Sequence, residues 1–245
     1  MIRRRQAVFA LLVLSGVTAV AAASRGGQAV QTDDCGYAGV AIVNYEQAEL
    51  DATCRALSDI ISYFRQIGFA LKPRVSVRFA DRPLGRSTGA TSAYGFFDAP
   101  GAQIVVYRSS DVRPWGLPWS PQLAMSFLHH ELVHMAVWRI VGDGPVRLRP
   151  EWHEFIAYAI QLDLLSPQLR DQVLTTHAEA LPSENFLDIN EFTSRMDPEC
   201  FAVMAYKTYL ANGRESFVAR LLGGEFVPPP FSYPFAVLPG QLPVQ

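Results

Sequence analysis

The sequence predicts an α+β fold in which a small mixed sheet with a β-hairpin packs on a buried helix, with further helices towards the C-terminus. Three observations predict it. Arg74 to Ala80 alternates apolar and polar residues with the period of a strand, and two apolar runs meet at Pro100-Gly101 as the arms of a hairpin. The stretch from Pro121 to Val141 has helical length and stop signals but no polar face, as expected for a helix enclosed by the rest of the protein.

The elements follow in order. Residues 1–23 read as a signal peptide: Arg3-Arg4-Arg5 is the charged region, Ala7 to Val20 the apolar region and Ala21-Ala22-Ala23 a small-residue cleavage site. The apolar part is short for a membrane span, so no stable membrane insertion is expected after cleavage; an uncleaved anchor is the alternative. An amphipathic helix follows over 45–67, with Leu50, Cys54, Leu57, Ile61 and Phe64 on one stripe. The strand Arg74 to Ala80, a polar loop from Asp81 to Gly89 and the hairpin Tyr94 to Tyr107 come next.

Ser120 is placed to cap the buried helix, Pro121 to open it and Gly142 to end it. Arg149-Pro150 opens a helix that runs to about Leu165, and Ser166-Pro167 starts another that reaches about 178. A last long helix is expected from Asp197-Pro198-Glu199 to about Leu222. Residues 227–245, with Pro228-Pro229-Pro230 and interleaved Phe231, Tyr233 and Phe235, read as an extended tail laid over the body. Residues 24–226 are then one domain, a length that suits a single core.

The chemistry lies in His130-Glu131-Leu132-Val133-His134, in the middle of the buried helix. Residues four apart on a helix lie about 40° apart on one face, so both imidazoles reach a single ion. Glu131 projects about 100° to the side, where it can touch a water bound to that ion rather than the ion itself. Burying three such side chains without partners would cost several kcal/mol, and one metal ion satisfies them all. A catalytic zinc site needs a third protein ligand. Glu154 supplies it on the next helix, across the small Ala157; Glu151, one turn earlier on nearly the same face, is the rival. His153 points elsewhere, His129 suits a packed or hydrogen-bonded histidine, and His177 lies in a polar stretch and is expected to be solvated.

These residues resemble the gluzincin metallopeptidases, including the minimal gluzincins and the thermolysin-like and peptidase-MA groups. The likeness rests on His130, Glu131 and His134 followed by Trp152 and Glu154-Phe155-Ile156-Ala157, and covers about 120–165. It departs at Phe155, where many relatives have Gly, and at Tyr158, where thermolysin-like enzymes have Asp. The resemblance implies a zincin-like fold with Zn²⁺ held by His130, His134 and Glu154. It also implies a peptide or protein substrate, cleaved by an activated water with Glu131 as general base. In zincins the edge strand above the metal binds extended peptide by strand addition, and the hairpin is either that strand or an ordinary member of the sheet. The alternative function is a secreted binding or scaffold protein on a zincin fold, with a structural or vestigial metal site.

Composition adds exclusions. Loss of Arg3, Arg4 and Arg5 leaves 18 basic against 23 acidic residues, and no basic cluster or recognition motif points to nucleic acid. Cys35, Cys54 and Cys200 all follow the signal, so an exported chain, periplasmic or secreted, can form one disulfide; of the three pairings, Cys35 with Cys54 is preferred.

Overall fold

The computed structural model describes residues 32–81, 95–108, 113–142 and 146–229. The signal peptide, most of the polar loop after Asp81 and the tail beyond Pro229 lie outside the described residues.

The fold is α+β, a mixed sheet packed against helices. Strands β1 (Thr32–Asp33), β2 (Val40–Val43), β3 (Val75–Ala80), β4 (Gly95–Asp98) and β5 (Gln103–Tyr107) lie in the order β1-β2-β3-β5-β4. β2, β3 and β5 run parallel, while β1 and β4 are antiparallel edges. β3 shows the alternation its sequence announces, with Val75, Val77 and Phe79 buried. β1 and β2 have no counterpart among the expected elements. Val40-Ala41-Ile42-Val43 is an apolar run too short to separate from a helix segment by periodicity, and its pairing with β3, far along the chain, makes it a strand.

Helix α1 (Gln47–Gln66) crosses between β2 and β3. Glu46 and Glu49 form a reciprocal capping box at its start, and Glu49 also grips Arg108 just after β5 at 2.7 Å. Cys35 and Cys54 are joined by a disulfide that ties the chain before β2 to α1. The hairpin turns at Pro100-Gly101 as expected, with Gly95 at its entry. A Cβ on Gly95 would stand 2.6 Å from the Val105 carbonyl, so the two strands approach only because that side chain is absent.

Helix α2 (Pro121–Gly142) opens where Ser120 Oγ accepts the Leu123 N–H at 3.2 Å. It packs on α1, on α3 (Pro150–Leu164) and under β4 and β5, which explains its lack of a polar face. Only its ends reach the surface, and in the last turns Trp138 is 37% exposed, against the expectation of burial all round. α3 is enclosed on both sides by α2 and by α6 (Pro198–Ala211). Its stripe of Trp152, Phe155, Ile156, Ala159 and Ile160 is fully buried, and so are Ala157 and Gln161 on the other side.

α4 (Pro167–Thr176) and a short α5 (Glu191–Met196) come between. The single long helix expected to Leu222 is instead two, α6 and α7 (Glu215–Gly223). Gly213 (φ +93°) and Arg214 (φ 56°) adopt left-handed backbone there, which stops one helix and redirects the chain into the next. Phe226, at the end of the expected domain, packs its ring against Trp152, Phe186 and Phe217.

Candidate metal centre

His130 and His134 project from one face of α2, and Glu154 reaches them from the first turns of α3. The two Nε2 atoms are 3.0 Å apart, and the Glu154 oxygens lie 3.3 Å from His130 Nε2 and 3.5 Å from His134 Nε2. A tetrahedral zinc with ligands at about 2.0–2.2 Å needs neighbouring ligand atoms about 3.3–3.6 Å apart; the two edges to Glu154 have that length, and the 3.0 Å edge between the histidines would have to open slightly. The three residues form one of two groups among the described residues able to hold a metal; the other contains Cys35 and Cys54, whose sulfurs are joined to each other.

Hydrogen bonds fix which way the electron pairs point. Ser126 Oγ donates to the Leu123 carbonyl at 2.8 Å and therefore accepts from Gln161 Nε2 at 3.2 Å. That sets the amide so that Gln161 Oε1 accepts from His130 Nδ1–H at 3.0 Å, which leaves the lone pair of His130 on Nε2, facing His134 and Glu154. With that tautomer His130 Nε2 accepts from His134 Nε2–H at 3.0 Å, and the two imidazole edges and the Glu154 carboxylate converge on one point. Gln161 takes an orienting role that no motif in the sequence assigns. The signal was present: it is a buried amide two turns beyond Glu154 on the same side of α3.

Electrostatics fit the geometry. Burial works against the Glu154 carboxylate, yet the histidines facing it, His134 foremost, hold its pKa well below the usual range. Burial likewise opposes a proton on His134, but Glu154 and Glu131 raise its pKa overall. Glu131 is 8% exposed, and burial raises its pKa against the lowering effect of the two histidines. Its carboxylate accepts the backbone N–H of Phe97 in β4, so the edge strand and the motif helix meet at this side chain.

The remaining candidates fall elsewhere. Glu151 is buried and bound to Arg149 Nε at 3.0 Å, so the choice between it and Glu154 goes to Glu154 on geometry. His153 donates to the Leu148 carbonyl, and burial, together with the His134 charge, lowers its pKa to about 4. His129 turns to α1, with Nε2 3.2 Å from Asp59 Oδ2. His177 is not solvated: its ring lies 3.7 Å from Glu179 and 3.6 Å from Glu199, because α4 ends against the first turn of α6. The Tyr158 ring, where thermolysin-like enzymes have Asp, lies against His130 at 4.4 Å between centroids. It covers one face of the His130 ring.

Residues 40–229 match the family described as "Family of unknown function (DUF6639)", and the chain belongs to that family. No curated protein and no solved structure matches it.

Proposed function

We propose that the chain is a zinc-dependent metallopeptidase with a zincin-like fold, exported and acting on peptides or proteins. The observation that carries the reading is the convergence of His130, His134 and Glu154 beside Glu131, directly below the edge strand β4. Zn²⁺ held by these three residues would acidify a water and polarise a substrate carbonyl.

The chain's own groups supply the rest. Glu131 takes the proton of the attacking water and returns it to the leaving amine. His130, held by Gln161, and His134 present neutral nitrogens to the ion. β4 lies antiparallel at the edge of the sheet, and an extended peptide laid along it would pass over the site by strand addition. The Cys35–Cys54 disulfide supports an oxidising compartment. No helix among the described residues is long and apolar enough to cross a membrane.

The test combines metal analysis of the purified chain with digestion of a mixed peptide pool, with and without chelator. Stoichiometric zinc and chelator-sensitive cleavage are expected, with Glu131→Gln keeping the metal and abolishing turnover. Zinc without chelator-sensitive cleavage would favour the secreted binding protein, and cleavage by the Glu131→Gln variant would refute the mechanism.

A further inference from the structure

The last turns of α2 and the segment between α1 and β3 flank an open groove. Ala70, Leu71, Lys72, Arg74, Arg139 and Ile140 line a groove of about 460 Å³. Arg139 lies five residues beyond His134, which places it about 140° round the helix and about 7.5 Å along it, off the face used by the metal ligands.

Its guanidinium is held in place. Nη2 donates to the Arg74 carbonyl at 3.5 Å, the carbon centre stands 5.3 Å from the Trp138 ring, and the buried Nε has no hydrogen-bond partner. Elsewhere Arg108, Arg149, Arg195 and Arg214 are each matched with a carboxylate, whereas Arg170 and Arg220, like Arg139, donate to backbone carbonyls. Among the described residues no carboxylate lies within ion-pair distance of Lys72, Arg74 or Arg139, although the chain as a whole is acidic.

Three like charges round one concavity repel one another, and a bound anion relieves that repulsion. A guanidinium with two flanking cations matches the tetrahedral oxygens of a phosphate group, singly charged in a phosphodiester and up to doubly charged in free phosphate.

We infer that this groove binds a phosphate group, with Arg139 as the anchoring fork and Lys72 and Arg74 as flanking charges. The inference is independent of the metal centre. The group is either free phosphate or the headgroup of an anionic phospholipid, and the same three cations would hold both.

The full chain is titrated with inorganic phosphate against chloride at constant ionic strength, by calorimetry. In parallel it is sedimented with vesicles of phosphatidylcholine alone or mixed with phosphatidylglycerol. Saturable binding is expected in at least one arm, weakened on the order of tenfold by Arg139→Gln and several-fold by Lys72→Gln, with zinc content unchanged. Capture by the phosphatidylglycerol vesicles assigns the site to a lipid headgroup, and phosphate binding without capture assigns it to a free ligand. Lys72 is exposed, so its substitution leaves the fold intact if Arg139→Gln does not. Absence of binding in both arms, or binding that survives both substitutions, would overturn the assignment.

Discussion

Gln161 Oε1 lies 3.0 Å from His130 Nδ1, and this contact between α3 and α2 sets the tautomer of His130, the first of the proposed metal ligands. The amide is anchored in turn through Ser126 to the Leu123 carbonyl, so a fully buried chain of hydrogen bonds fixes the ring. Replacing Gln161 by Leu should weaken zinc binding about 10- to 100-fold in competition with a chromogenic chelator, whereas Gln161→Glu should retain it. Equal affinity in all three forms would show that the ring is oriented by other means.

Glu154 and Glu151 stand one turn apart on α3 and should respond differently to loss. Glu154→Ala should strip the metal. Glu151→Ala leaves Arg149 without its 3.0 Å partner and should cost stability while keeping stoichiometric zinc. Elemental analysis of both variants distinguishes them, and the reverse result would move the ligand by one turn.

Acid should separate the zinc-loaded and stripped proteins. Without metal, the raised pKa of His134 means that the stability contributed by its proton is fully present below the ordinary value of 6.5 and is lost as pH rises through the raised one. A metal ion needs the neutral ring, so stabilisation by zinc runs the other way and grows with pH. The melting-temperature difference between loaded and chelated protein should be small at about pH 5 and largest above about pH 8. A difference that does not vary with pH would remove His134 from the ligand set.

The Cys35–Cys54 bridge spans 19 residues of sequence. In the loop-entropy account, reducing it should cost about 3 kcal/mol of unfolding free energy, measured by urea titration with and without reductant. Cys200→Ser should leave that difference unchanged, since its thiol is free.

Gly213 turns the chain between α6 and α7 at φ +93°, and a Cβ there would meet Ser216 Oγ at 2.8 Å. Gly213→Ala should destabilise the protein by about 1–2 kcal/mol. A melting temperature equal to that of the parent chain would show that the two helices reach each other by another path.

How much of this is legible in the sequence depends on the range of the interactions. The ends of α1, α2 and α3 follow from capping residues and prolines within a few positions, and the sequence carries those directly. Glu154 is readable because a helix fixes which side chains share a face. β2 is not, since its strand state comes from pairing with β3 across α1. The break at Gly213 sits inside a run that is apolar on both sides, so periodicity passes over it. Gln161 can be seen as a buried amide but not as the partner of His130, because that contact joins two helices whose mutual rotation no local pattern records.

The bond from Phe97 to Glu131 bears on solubility as well as chemistry. An edge strand whose outward donors are open is a template for uninvited pairing between copies of a chain. β4 is four residues long, ends in an exposed aspartate, and has its Phe97 donor occupied by the carboxylate of the helix beneath. Any strand that zips along β4, a substrate peptide or another copy of the chain, must first displace that contact, so pairing at this edge is coupled to release of the Glu131 carboxylate.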